Sequence, residues 1–276
     1  MRLLDGNELA GFIQERQAHQ ARGLRQAQGV IPKLAIIRTN PDPVVDSYMR
    51  LKQRYGEEIL VDVEVHTIKQ AEAIARIEQL NADMSVHGII VQIPLPDPKQ
   101  TDEILNTVAA EKDVDGLAAK TNFDPATPVA INWLLAGYNI DLTKGVLIVG
   151  HGRLVGRPLA RMWRASGYTV TVANKDTPDL GTLTREATVL VSATGVPGLI
   201  TPAMLKPKAV IVDAGVATDA NGLVGDVAPE VRDLPDITIT PEKGGVGPLT
   251  VCALFDNLIR AARVSGGTHP SRSNSK

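Results

Sequence analysis

GVLIVGHGRLVGRP, residues 145–158, joins a short aliphatic run to three glycines and the opening of a helix. The run is of the kind buried on both faces of a parallel sheet, and the helix continues through RPLARMWRAS. Gly150, Gly152 and Gly156 lie at the junction. Glycine there permits a tight turn and lets backbone approach a pyrophosphate, which the helix N-terminus attracts. The spacing is G-x-G-x-x-x-G, with Val155 in the place of the third glycine of the regular dinucleotide fingerprint, so the surrounding pattern decides the reading. A second strand, YTVTVA, ends near residue 173 and completes a strand-helix-strand frame. That frame predicts dinucleotide binding, with a purely structural turn as the competing explanation.

Sites that prefer NAD place a carboxylate at the end of the second strand to bind the ribose hydroxyls. Here Asn174 and Lys175 stand at that point, and Lys175 with His151 is suited to a phosphate on the ribose. The expected cofactor is NADP. NAD stays open, because Asp176 follows and a shift of one residue in the strand end reverses the inference.

Working outward, ATVLVSATG and AVIVDAGV repeat the short buried-strand pattern, so the second half of the chain reads as doubly wound α/β. Toward the N-terminus, residues 7–28 show helical spacing and KLAIIRT (33–39) reads as a strand ending in the turn cluster NPDP. A helix carrying SYMRLK (47–52) follows, then strand ILVDVEVHTI, helix IARIEQLNAD and strand VHGIIVQIPLP, stopped by prolines. The fold class is α/β with parallel pairing. Residues 249–264 read as a last apolar helix, and SGGTHPSRSNSK (265–276), without an apolar anchor, reads as a disordered tail.

Composition narrows the partners. The chain has 276 residues, enough for two domains, with 43% hydrophobic and 22% charged content and a formal net charge of −2. No basic field favours nucleic acid or an anionic membrane. Cys252 is the only cysteine, which excludes an intramolecular disulfide and a multi-cysteine metal site, and the five histidines include no close pair at ligand spacing. No metal is expected. MRLLDGNELAGFIQERQ contains no signal-like apolar core, and no apolar run approaches the roughly 20 residues of a membrane span, so a cytoplasmic protein is expected.

Tyr48 and Lys52 stand four residues apart, on one helical face. Alone they are most simply surface packing, as Gln92 is a polar strand edge, Asp113 and Asp115 are turn formers and TPEKGGVGPLT is loop punctuation. Together, in this order, they resemble the methylenetetrahydrofolate dehydrogenase/cyclohydrolase family over nearly the whole chain to about Arg263. Y-x-x-x-K is met by Tyr48 and Lys52, VQ-x-PLP by Val91 to Pro96, KDVDG by Lys112 to Gly116 and GGVGP-x-T by Gly244 to Thr250. Smaller echoes are Thr127-Pro128, Val155 to Pro158, D-x-G at Asp213 to Gly215 and GDV at Gly225 to Val227.

The resemblance implies oxidation of 5,10-methylenetetrahydrofolate to the methenyl form, with NADP as acceptor, and hydrolysis of that product to 10-formyltetrahydrofolate. It implies a catalytic domain of residues 1–120 plus 249–264, a Rossmann-like domain of residues 121–248 and a folate cleft between them. The final helix returns to the first domain, and the protein is a homodimer that acts on tetrahydrofolate derivatives. Lys52 is implied as the catalytic group, tuned by Gln92, with Tyr48 orienting the substrate and Asp115 anchoring the pterin. Val91, Ile93, Gly244, Gly245, Gly247 and Pro248 are implied on the substrate side. Gly150, His151, Gly152, Val155, Gly156, Lys175 and Val216 are implied on the cofactor side.

The chain departs from the family pattern at several points. Gly150-His151-Gly152 replaces G-R-S, Lys175 replaces a serine, Asp42 to Val45 replace D-P-A-S, and Glu242-Lys243 precedes GGVGP in place of Val-Pro. Two other readings stay open on the residues alone: a Rossmann dehydrogenase of another small substrate, such as a shikimate-type hydroxy acid, and a catalytically inactive nucleotide-binding relative.

Overall fold

The structure, a computed structural model, describes residues 1–41, 43–219 and 222–267 of the chain, which divides into two compact units. One unit comprises Met1–Gly11 and Pro125–Ala253, the other Phe12–Asp124 and Leu254–Lys276. In chain order the regular elements begin with β1 (Arg2–Leu3), α1 (Gly6–Gln28), β2 (Lys33–Arg38), α2 (Pro43–Glu58) and β3 (Asp62–Thr67). Next come α3 (Ala73–Ala82), β4 (Gly88–Val91), α4 (Thr101–Thr107) and α5 (Ala126–Gly137). The glycine stretch connects β5 (Val146–Val149) to α6 (Gly156–Ala165), followed by β6 (Val170–Ala173), α7 (Leu180–Glu186), β7 (Val189–Ser192) and β8 (Val210–Asp213). A short hairpin, β9 (Ala217–Asp219) and β10 (Gly222–Val224), precedes β11 (Thr238–Ile239) and the final α8 (Val246–Gly267).

The first unit is built on a six-stranded sheet of order β1-β11-β8-β7-β5-β6, in which every pairing is parallel. β5 and β7 are buried at every position, because helices cover parallel strands on both faces and leave no solvated side. On one face Leu147, Leu190, Ile211 and Ile239 form a single core with Ile200 and Val231. Trp163 of α6, 1% exposed, donates its indole N–H to Asn132 Oδ1 on α5 at 3.2 Å, so its one polar atom is satisfied where its rings are packed. β6 lies on one side of β5 and β7 on the other. The sheet therefore changes direction at the C-terminal end of β5, the point where open α/β sheets bind ligands.

In the second unit the three-stranded sheet β3-β2-β4 is again parallel. Ile37, Val91 and Ile89 pack with Ile77 and Leu80 of α3 and with Ile104 and Leu105 of α4. β4 stops at Val91, so Gln92 is the first residue beyond the strand rather than within it.

The division of the chain differs from the expected boundaries at the N-terminus. Residues 1–11 group with the Rossmann-like unit because Arg2–Leu3 pairs in parallel with Thr238–Ile239 and Leu4 is fully buried. Residues 249–253, expected in the catalytic domain, also fall in that unit, whereas α8 from Leu254 onward belongs with the other. Residues 265–267, expected as tail, continue α8, and residues 268–276 lie outside the described residues. Asp42 also lies outside them. No described helix is long and apolar enough to cross a membrane, and no group of three or more potential metal ligands occurs among the described residues.

Candidate functional site

Lys52 owes its place to α2, whose start is tied to the preceding strand by Arg38 at the end of β2, paired with Asp46 of the first helical turn at 2.6 Å. One turn before Lys52, Tyr48 is half-buried, and burial pushes its phenol above the ordinary value. Lys52 Nζ donates to Gln92 Oε1 at 3.0 Å. Gln92 is fixed from its other end, since its Nε2 donates to Ile93 O at 3.2 Å and its backbone N–H to Ile37 O at 2.9 Å. The amide thus presents its oxygen, not its nitrogen, to the lysine.

Burial pushes the Lys52 ammonium below the usual lysine value, while the Asp115 carboxylate pulls it back up. Burial likewise raises the Asp115 carboxyl, with Lys52 opposing the rise and Asp113 adding to it. Surroundings that disfavour charge thus hold one amine and one carboxyl whose proton affinities approach each other. That is the arrangement a proton-transfer site needs, and it requires a neutral partner at Gln92, since a carboxylate there would fix the lysine as ammonium.

The sequence KDVDG divides its labour residue by residue. Lys112 Nζ donates to the carbonyls of Leu80, Asn81 and Asp83, at 3.0, 2.8 and 2.7 Å, and so caps the end of α3. Asp113 accepts from the backbone N–H groups of Leu117 and Ala118 and folds its own loop. Val114 is fully buried, Asp115 remains partly exposed, and Gly116 takes a φ of 69° that closes the turn. Asp113 is thus committed to the loop that carries Asp115.

In the first unit the glycine loop resolves the irregular spacing. Gly150 has a φ of 104°, and a side chain there would meet Ala193 O at 2.4 Å. A Cβ on Gly156 would meet Gly150 O at 1.9 Å, whereas one on Gly152 would meet nothing within 4 Å. Gly156 therefore does the close helix-strand packing that the regular fingerprint gives to its third glycine, one residue later because α6 begins at Gly156 and Val155 precedes it. Gly152 and His151 face open space as exposed residues at the helix entrance. The combination of an open glycine, two close-packed ones and a helix N-terminus fits a dinucleotide pyrophosphate. β6 ends at Ala173, Asn174 closes the next turn by accepting from Asp176 N at 2.8 Å, and Lys175 is exposed. Val216 is 57% exposed just beyond β8.

Gly244 to Pro248 also belong to the first unit, where Gly244 and Gly245 are closely packed while a Cβ on Gly247 would meet nothing within 4 Å. A Cβ on Gly6 would meet Gly245 O at 1.8 Å, one on Gly244 would meet the Asn7 side chain at 2.0 Å, and Gly6 N donates to Gly244 O at 2.8 Å. Val91 is buried, Ile93 is partly buried, and the Ile93-Pro94 peptide bond is cis.

Asp226 was not among the residues expected at the site, yet it organises the loops after β7. Fully buried, it accepts from Ser192 Oγ at 2.6 Å, Thr194 N at 2.7 Å and Val196 N at 3.0 Å. Asp213 reciprocates by accepting from Gly215 N, Asp226 N and Val227 N, at 3.2, 3.0 and 3.0 Å. Burial, reinforced by the neighbouring Asp226, raises the Asp213 carboxyl. The glycines beside each carboxylate are required, since a Cβ on Gly215 would meet Asp226 Oδ1 at 2.0 Å and one on Gly225 would meet Asp213 Oδ2 at 2.0 Å. The sequence signal was the pair of Gly-Asp motifs, D-x-G and GDV, whose reciprocity appears only in three dimensions.

Comparison with known proteins agrees with both halves. Residues 4–115 match the tetrahydrofolate dehydrogenase/cyclohydrolase catalytic domain, and residues 125–265 match the NAD(P)-binding domain of the same family. The bifunctional protein FolD of Exiguobacterium sibiricum is 37% identical over 275 residues, covering 95% of this chain and 99% of its own. The crystal structure of the bifunctional FolD methylenetetrahydrofolate dehydrogenase/cyclohydrolase from Campylobacter jejuni is 36% identical, with a TM-score of 0.89 and coverage of 96% and 99%. The Trypanosoma brucei enzyme, solved with NADP cofactor and inhibitor, is 27% identical, with a TM-score of 0.88 and coverage of 95% and 97%.

Proposed function

The chain belongs to the tetrahydrofolate dehydrogenase/cyclohydrolase family, and on that premise we propose that it oxidises 5,10-methylenetetrahydrofolate with NADP and hydrolyses the methenyl product to 10-formyltetrahydrofolate. The observation that carries the reading is the hydrogen bond from Lys52 Nζ to the neutral Gln92 Oε1 at 3.0 Å, beside the half-buried Asp115. The family match covers the reaction class; the preference for NADP rests on Lys175 and His151, both exposed near the glycine loop and the end of β6.

Oxidation takes hydride from the methylene carbon that bridges two folate nitrogens and leaves a resonance-stabilised cation. NADP, when bound, supplies the hydride acceptor. The protein's own contribution to this step is orientation, for which Tyr48 and Asp115 are the proposed contacts, and little acid or base is needed. Hydrolysis adds water to the cationic carbon and then opens the ring. Neutral Lys52 removes one proton from the attacking water as the C–O bond forms; the resulting ammonium then returns it to the ring nitrogen as the C–N bond breaks, and the remaining hydroxyl proton passes to solvent as the formyl C=O forms. Gln92 keeps the amine oriented without stabilising its charge as a carboxylate would. Residues 91–93 and 244–248 are proposed to line the folate, and Gly150, Gly152, Val155, Gly156 and Val216 to hold the dinucleotide. A cytoplasmic homodimer completes the proposal, and light scattering on the purified protein checks the assembly.

The test is an assay of both steps with NADP and NAD compared. No methenyl product with either cofactor, together with no methenyl hydrolysis, would sink the proposal and leave the shikimate-type reading to be tried. Lys52→Ala should remove hydrolysis more completely than oxidation.

A further inference from the structure

Asn257 lies on α8 in the second unit and is 3% exposed. Its side-chain Nδ2 donates to two main-chain carbonyls, Val114 O and Asp124 O, each at 3.0 Å. The buried residues around it on the helix include Leu254, Phe255, Leu258 and Ala261, although Asp256 and Arg260 are charged. An amide among them carries a desolvation cost that a leucine would not, so its donors must be accounted for. Both are committed to one loop, from the residue before Asp115 to the last residue of that segment of the unit.

The same turn is wedged from the other side. Ile89 N on β4 donates to Lys112 O at 2.7 Å, and a Cβ on Gly88 would meet Leu258 Cδ1 at 2.7 Å and Val114 Cγ1 at 2.8 Å. β4 and α8 thus grip Val114 between them, and Asn257 supplies the directional part of the grip. We propose that Asn257 is a positioning residue for the folate reaction, holding Val114 O and Asp124 O so that the Asp115 carboxyl stays set toward Lys52. Apolar contacts alone would locate the turn but leave its rotation free, whereas two hydrogen bonds from a planar amide fix it. The inference rests on the folate reading above.

Asn257→Leu removes both donors at similar volume, and Asn257→Ser keeps one. Each variant is assayed for methenyl hydrolysis across pH, for the KM of methylenetetrahydrofolate and of NADP, and for thermal stability. Asn132→Ala serves as the structural control. Asn132 accepts from the indole N–H of the buried Trp163 at 3.2 Å, within the unit that does not carry Asp115. The expected result for Asn257→Leu is a rise of about tenfold in the folate KM, as for a group losing two aligning hydrogen bonds, with a displaced pH profile of hydrolysis and an unchanged KM for NADP. Asn257→Ser should fall between it and the wild type, and Asn132→Ala should lower thermal stability without moving the folate KM or the pH profile.

Wild-type folate KM and pH profile in a folded Asn257 variant overturn the inference, as does reproduction of the same changes by Asn132→Ala. If Asn257→Leu does not fold, Asn257→Ser decides; failure of both to fold also overturns it, because Asn257 then serves the fold and not the site. A wild-type protein without methenyl hydrolysis would instead refute the proposed function, so the two failures are distinct.

Discussion

Gln92→Glu exchanges an amide for a carboxylate of nearly the same shape at the atom that accepts from Lys52 Nζ. In the native site Gln92 Oε1 accepts from Lys52 Nζ at 3.0 Å. Opposite unit charges at that 3.0 Å separation attract by about 5 kcal/mol at an effective dielectric constant of about 20. This is a ceiling, because the new carboxylate must itself be desolvated and faces Asp115. Opposite charges at such separations raise the proton affinity of an amine by about ten- to a thousandfold. Burial holds Lys52 below its ordinary value in the native chain, and the substitution raises it. The neutral amine grows as pH rises through that value, so the pH profile of methenyl hydrolysis should move toward alkali in the variant and its rate at neutral pH should fall. Part of the activity should return in alkali, with the uncatalysed rate subtracted at each pH. Oxidation, which asks for no proton from Lys52, should fall much less. Hydrolysis with the pH profile of the wild type would refute the neutral-lysine mechanism, since a carboxylate in place of the Gln92 amide must move the titration of Lys52 toward alkali.

Asp226→Asn replaces a carboxylate that accepts three hydrogen bonds with an amide whose NH2 must face a donor, costing about 1–3 kcal/mol. Because the disturbed loops lie in the Rossmann-like unit, the KM for NADP should rise while methenyl hydrolysis is retained; equal loss of both activities would count against that assignment. Gly156→Ala sets a Cβ 1.9 Å from Gly150 O and should lower stability by about 1–3 kcal/mol or more in thermal melts. Gly152→Ala meets nothing within 4 Å, so its stability should stay within about 0.5 kcal/mol of wild type while its NADP affinity falls; unchanged affinity would remove Gly152 from the pyrophosphate site. Lys175→Ala should lower the preference for NADP over NAD by about tenfold, the size of a lost charge-assisted hydrogen bond to phosphate, with an unchanged ratio of kcat/KM values excluding Lys175 as the phosphate contact.

The principal strands were legible in the chain because buried parallel strands are near-continuous aliphatic runs, as in VLIV of β5 and VLVS of β7, and the intervening glycines and prolines mark their ends. Tyr48 and Lys52 were legible as a helical pair, since a spacing of four fixes a shared face wherever the helix sits. β1 and β11, of two residues each, carry too little pattern for any periodicity to register, and they take the N-terminus into the Rossmann-like unit. The spacing G-x-G-x-x-x-G looked like a fault in the fingerprint; backbone geometry shows Gly156 performing the displaced packing role.

By itself, then, the sequence determined the α/β class, the nucleotide loop and the identity of the chemical groups, because local periodicity and turn chemistry act over a few residues. Only the tertiary structure decided that Gln92 presents its oxygen to Lys52, and that Asp213 with Asp226 and Asn257 with the 114–124 loop hold neighbouring segments in place. Burial and hydrogen-bond partners arise from residues tens to more than a hundred positions apart, and proton affinity follows from them.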